Sequence, residues 1–169
     1  MATVRPAEEG DLPGILHIDR QSGRNPSAAE ALAAALADPT RLVLVAESGG
    51  EVLGWGKTHY WAYPDGPAPA GHYLGGVTVL PSQRRRGVGA ALTSARLHWI
   101  WARTPDAWYV VNTGNTASIT LHSAWGFAEV ARGPRFHTTT FDGGLGLLLR
   151  AHRPGRGPAP EPATRRRAL

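Results

Sequence analysis

The run Arg84-Arg85-Arg86-Gly87-Val88-Gly89-Ala90 packs three cations and two glycines into one turn. It follows an apolar segment, Tyr73 to Pro81, and it opens a helical pattern. A strand that runs into a basic, glycine-spaced turn and then a helix start can cradle phosphate. Glycine lets the backbone approach an oxyanion closely, and the unpaired N–H groups of a first helical turn point at it. The helix dipole adds about half a positive charge at that end. The plainer reading of the same run is a helix start wearing a solvated charge cluster. A second spaced set further along, Asn115, His122, Gly126 and Phe127, decides for the cradle.

Together the two sets resemble the GCN5-related N-acetyltransferase (GNAT) superfamily over residues 2–150. Its pyrophosphate motif, Gln/Arg-x-x-Gly-x-Gly/Ala, is filled by Arg84, Gly87 and Gly89. Its second motif is an Asn, then an aromatic residue, then Gly-Phe, filled by Asn115, His122 and Gly126-Phe127. His122 stands where the family usually has tyrosine. The resemblance implies an N-acetyltransferase that moves an acetyl group from acetyl-CoA directly to the amine of a small molecule. The version of the second motif is similar to the branch that acts on amino acids, antibiotics and related metabolites. It further implies that the strands Tyr73–Leu80 and Trp108–Asn112 lie side by side and splay at their carboxyl ends. The pantetheine arm would pair there with the backbone of Val77 and Val79, as an added strand would. The pyrophosphate would rest on the amides from Arg84 through Arg85, Arg86, Gly87, Val88 and Gly89 to Ala90. Asn115 either bonds the pantetheine or caps its helix. His122 either protonates the departing thiolate or holds the helix against the sheet. Two other readings share the fold: a transferase using aminoacyl-tRNA as donor, and a non-catalytic CoA-binding module.

The acceptor side is marked by the aromatic run His59-Tyr60-Trp61-Ala62-Tyr63. Alternate side chains of a strand face one side, so Tyr60 or His59, with Trp61, is expected either to line an acceptor pocket, with His72 beside it, or to pack in the core. Many GNAT enzymes carry a glutamate base on a central strand, yet Tyr73–Leu80 contains no carboxylate. His72, His59 or a water chain is left to remove the ammonium proton. The chain has no cysteine, which excludes a thiolate acyl carrier and disulfides. No histidine spacing suggests a metal site.

These residues need elements to hold them. Asp11 precedes a first helix with Pro13 in its first turn, and Ser27-Ala28-Ala29-Glu30 reads as a capping box before an alanine-rich helix. Two strands, Arg41–Glu47 and Glu51–Tyr63, follow across the Ser48-Gly49-Gly50 turn. The strand His72–Leu80, the helix from Gly87 and a short strand at Trp108–Val111 come next. The stripe Ala117, Leu121, Ala124 and Trp125 marks a further helix, ended by Gly126. Phe136–Phe141 and Leu145–Leu149 close the order as a hairpin. This sequence of elements predicts an α+β, three-layer α/β/α fold. Its sheet is central, mixed and mostly antiparallel, of six to seven strands, with helices on both faces.

The 169 residues suit one domain, expected over 1–150. The net charge of +5 resides wholly in residues 150–169, where six arginines face only Glu161. The body is therefore neutral overall, unlike a nucleic-acid-binding domain. Prolines at 154, 158, 160 and 162 predict a disordered tail over 151–169, with tRNA contact as its only nucleic-acid role. No segment has the length of a membrane span and the amino terminus lacks a signal-like apolar region. The expectation is a cytoplasmic monomer or homodimer.

Overall fold

Val43-Leu44-Val45-Ala46 is buried on both faces, which explains why it reads as an unbroken apolar run rather than an alternating one. In the computed structural model, which describes residues 1–25 and 28–155, this run is the heart of β2 (Val43–Ser48). Val43 and Val45 pack on α1 (Leu12–Gln21) and α2 (Ala29–Ala37), while Leu44 and Ala46 pack on α3 (Val88–Trp101). One strand thus sets up three layers.

The remaining strands are β1 (Thr3–Pro6), β3 (Glu51–Trp61), β4 (Gly71–Val79), β5 (Asp106–Asn112), β6 (Ala128–Gly133) and β9 (Gly146–His152). Among the described residues they form a seven-stranded sheet ordered β1-β2-β3-β4-β5-β9-β6. Every neighbouring pair is antiparallel except β4 and β5, which run parallel. A short separate hairpin joins β7 (Arg135–Phe136) to β8 (Thr139–Thr140). The last helix, α4 (Thr116–Ser123), follows β5. The mixed, mostly antiparallel sheet with helices on both faces matches the expected fold class. None of the described helices is long and apolar enough to cross a membrane.

Three local readings are corrected. Phe136–Phe141 and Leu145–Leu149 do not pair as one hairpin. Instead β9 pairs with β5 and β6, and the intervening segment folds on itself as β7–β8. Asp11 does not cap α1 through its side chain, because its carboxylate accepts from the Glu8 amide and from Arg5. The fold also continues past residue 150. Ala151 is fully buried, His152 bonds Asp106, and the Arg153 guanidinium reaches Trp101 O at 2.9 Å. Ser27 and the tail from residue 156 lie outside the described residues.

The pairing of β4 with β5 is brief: only Tyr73 with Trp108 and Leu74 with Tyr109. Directly after it, β4 bulges. Gly75 and Gly76 stand opposite the single residue Lys57 of β3. A Cβ at Gly75 would lie 2.8 Å from Lys57 Cγ, so glycine is required there. The bulge is held from below by Arg96 of α3, which is fully buried. Its Nη1 donates to Lys57 O at 3.0 Å and Gly75 O at 2.9 Å, and its Nη2 donates to Thr93 Oγ1. Gly56 lets this side chain in, since a Cβ there would sit 3.2 Å from Arg96 Nε. Burial lowers the Arg96 pKa to about 10, so it stays charged at neutral pH.

Arg96→Ala should lower stability by about 3 kcal/mol or more, from the cavity and from two carbonyls losing a charged donor. For a chain of this size that is roughly a 6–12 °C fall in Tm. Arg96→Lys should recover only part, because one ammonium lacks the guanidinium fork. Thermal unfolding followed by circular dichroism checks both, and an unchanged Tm in Arg96→Ala would contradict the role.

Candidate functional site

Where β4 leaves β5, a cleft of about 960 Å³ opens between them. Leu80 N–H donates to Leu53 O at 2.8 Å, which fixes the alternation of the β3–β4 ladder. Thr78 therefore pairs toward β3, and Val77 and Val79 turn their backbone groups toward the gap. Val79 O already accepts from Arg84 Nε at 3.3 Å, drawing the basic turn over the cleft.

That turn is curled by two left-handed residues, Arg85 at φ 59° and Gly87 at φ 83°. The first intrahelical bond of α3 runs from Ala91 N–H to Gly87 O, leaving the amides of Val88, Gly89 and Ala90 without a helical partner. Arg84, Arg85, Gly87, Gly89 and Ala90 line the cleft. Arg86 and Val88 do not. The Arg86 side chain is exposed, and Val88 is packed in the core against Leu92. A Cβ at Gly89 would meet protein atoms only at 3.7 Å and beyond, so the protein itself has room for a side chain there.

On the far wall stands α4. Asn115 caps it, its Oδ1 accepting from Ser118 N–H at 3.2 Å, while the residue also lines the cleft. His122 is 2 % exposed and its ring stacks on Tyr109 with centroids 4.0 Å apart. Its Nδ1 lies 2.7 Å from Ser118 O. A carbonyl can only accept, so Nδ1 carries the proton and Nε2 presents a lone pair. That Nε2 is buried and has no partner among the described residues. Burial, with a further push from Arg96, brings the His122 pKa down to about 4, so the ring is neutral at pH 7. The Tyr109 hydroxyl bonds Ser118 Oγ beside it.

The acceptor end is walled by β3 and by the β7–β8 hairpin. Alternation places Trp55, Lys57, His59 and Trp61 on one face, and the last three line the cleft. Tyr60 and His72, expected in the pocket, lie on the opposite face. Their rings meet at a tilt with centroids 4.8 Å apart, and His72 meets Trp99 edge-on. His59 is therefore the partner of Trp61, and burial lowers its pKa to about 4. His137, which the sequence did not single out, covers the same end. Its ring stacks flat on Trp61 at 4.3 Å, and its Nε2–H donates to Pro69 O at 3.1 Å. Its Nδ1 is buried and has no partner among the described residues. Nothing in the sequence signals this, because a hairpin three strands away delivers it. Lys57 was legible by contrast: it lies two residues before His59 on the same strand face.

A sequence model described as "Acetyltransferase (GNAT) family" matches residues 12–127. The chain belongs to this family. It is 35 % identical over 107 residues to an aminoglycoside N(6')-acetyltransferase type 1 from Klebsiella aerogenes, covering 62 % of this chain and 70 % of that protein. The fold is shared with the ribosomal-protein-S18-alanine N-acetyltransferase of Escherichia coli (TM-score 0.72, 22 % identity, 94 % of this chain and 97 % of that one). It is shared equally with yncA, a putative acetyltransferase from Salmonella typhimurium solved with its cofactor acetyl-CoA (TM-score 0.71, 22 % identity, 95 % and 98 % covered). The protein is thus a GNAT N-acetyltransferase, and acetyl-CoA is the family's acetyl donor.

The neutral His122 has a consequence for stability. In the unfolded chain it takes up a proton below about pH 6.5, whereas the native ring resists until about pH 4. Stability is therefore full above pH 6.5 and falls as pH drops through that window, by up to about 3 kcal/mol from this residue. Urea unfolding at pH 7 and pH 4.5 should show a smaller loss in His122→Phe than in the wild type. An equal loss would mean the ring is charged in the native state.

Proposed function

We propose that this acetyltransferase acetylates the amine of a small molecule, with the β4/β5 gap holding the donor and the Trp61–His137 end holding the acceptor. The observation that carries the donor assignment is the backbone edge of Val77 and the Val79 N–H, running straight into the left-handed Arg85–Gly87 curl. This edge and the unpaired amides of Val88, Gly89 and Ala90 fit an amide-rich arm ending in a pyrophosphate. For the acceptor, support comes from the closed aromatic wall of the pocket and from the likeness to an aminoglycoside-modifying enzyme.

When bound, acetyl-CoA supplies a thioester whose acetyl carbon accepts the amine and whose sulfur leaves as a thiolate. The chain's residues do the rest. Arg84 and Arg85 neutralise phosphate charge at the mouth of the cleft, while Arg86 faces solvent. An N–H of the Val77–Val79 edge stabilises the oxygen that gains charge during attack. Asn115 acts as the helix cap that positions α4.

His122 sits where a thiolate would form. Its neutral Nε2 is an acceptor at rest, so it takes up the proton shed by the attacking amine before handing it on. An anion beside it then raises its pKa and favours the imidazolium, which returns that proton to sulfur. His59 offers a further lone pair at the amine end, whereas His72 is too far round the sheet to take part.

Two outcomes are expected. Gly89→Asp should fold normally, because there is room for a side chain, yet place an anion beside the pyrophosphate. Its affinity for CoA by calorimetry should drop at least about tenfold; unchanged affinity would remove the cradle assignment. His122→Phe should lower kcat by about tenfold to a hundredfold with little change in KM for acetyl-CoA, as expected for loss of proton transfer. His122→Tyr should regain much of that rate, since a phenol can give its own proton to the thiolate and recover one from the amine. A panel of amines followed by thiol release, with an alanine-led peptide included, tests the acceptor class. Turnover of the peptide alone would overturn the small-molecule reading.

A further inference from the structure

Lys57 is the only lysine in a chain with seventeen arginines, and it stands on the cleft floor opposite the β4 bulge. Its side chain has neither a hydrogen bond nor an ion pair among the described residues; its ammonium lies 5.8 Å from the Trp55 ring centroid. The half-buried ammonium is offset only in part, by the Asp19 carboxylate in the same recess and by the Trp55 ring, and a bound anion would add to both.

Beside it a smaller recess of about 180 Å³ opens off the cleft. Lys57, Arg24, Gly76 and Thr78 line both spaces, and Asn25 and Trp55 complete the recess. The Arg24 side chain is exposed and, like that of Lys57, makes no ion pair among the described residues. One carboxylate touches the recess, that of Asp19. It is 2 % exposed and already accepts from Trp55 Nε1 at 2.9 Å. No aspartate or glutamate lines the main cleft among the described residues. A polycationic acceptor would meet two cations there with no exposed carboxylate to pair with its ammonium groups.

We propose that the recess formed by Lys57, Arg24, Asn25 and Thr78 binds the carboxylate of the acceptor, so that the substrate is an amino carboxylate rather than a polyamine. Gly76 belongs to the bulge and lines the recess, so the carboxylate sits next to the reacting centre. That proximity suits an amine and a carboxylate separated by one or two carbons. The flat walls of Trp61 and His137 then receive an apolar or aromatic side chain. Lysine serves here where arginine would not, because a compact ammonium leaves the recess open beside the bulge. The inference rests on the small-molecule reading above and narrows it.

The test is thiol release from acetyl-CoA with four acceptors: L-tryptophan, L-methionine, L-tryptophan amide and kanamycin. The wild type should prefer tryptophan to its amide by at least about tenfold in kcat/KM, with kanamycin poorer still. Lys57→Met should remove that preference by lowering kcat/KM for the free acid about tenfold while leaving the amide within about twofold. Arg24→Gln, a change on an exposed loop residue, should shift the ratio the same way, which guards against a folding defect in the first variant. CoA affinity should be unaltered in both. If the amide or kanamycin is the better substrate, or if Lys57→Met weakens acid and amide alike, the carboxylate site is wrong while the small-molecule reading stands. If the protein binds CoA but acetylates none of the four, both fall together.

Discussion

A single buried guanidinium holds the site open. Arg96 sits in the core without a carboxylate partner, and its charge is spread over carbonyl oxygens of β3 and β4 and the hydroxyl of Thr93. Those carbonyls belong to the bulge, where regular pairing would leave the backbone misaligned. Donating from beneath lets both strands keep hydrogen bonds while β4 bends away from β5. The gap, the edge of Val77 and Val79 and the position of the basic turn all follow from that bend. A neutral side chain of the same length would leave the Lys57 and Gly75 carbonyls without this donor. The guanidinium stays in place because its donors are well used, although desolvation opposes its charge.

The same burial acts on the histidines around the cleft. His122 and His59 both have pKa values near 4, each chiefly through desolvation. Nearby cations add to it: Arg96 beside His122, and Arg41 and Lys57 beside His59. The cleft therefore sets arginine cations beside two rings, His122 and His59, that stay neutral at pH 7. This division suits a reaction in which phosphate must be held and an ammonium must lose its proton.

Among the described residues two non-glycines adopt left-handed backbone, and both line the cleft: Arg85 at the basic turn and His137 at the β7–β8 hairpin. Each costs roughly 1–2 kcal/mol relative to an ordinary conformation. His137 is held by its bond to Pro69 O and by the stack on Trp61. Left-handed backbone thus stands at both ends of one cleft, and at His137 neighbouring contacts hold it in place.

By itself the sequence determined most of the local features: the helices, most strands though not Ala128–Gly133, and a basic, glycine-spaced turn before a helix. Alternation and helical spacing are short-range properties, and Arg84, Gly87, Gly89, Asn115 and His122 are spaced along the chain as the motif demands. The α/β/α order followed, because a strand such as Val43–Ala46 with two apolar faces needs helices on both. Tertiary structure decided what distance along the chain cannot encode. The face of β3 that meets the cleft put His59 and Lys57 inside and Tyr60 outside, with His72 beside Tyr60. The hairpin that brings His137 onto Trp61 joins residues far apart in sequence. Arg96 reads as a solvent-facing charge on a helix, and only the bulge packed over it gives it acceptors. The proton on His122 was equally invisible, since a ring buried against Tyr109 and bonded to Ser118 O has its charge state set by its surroundings.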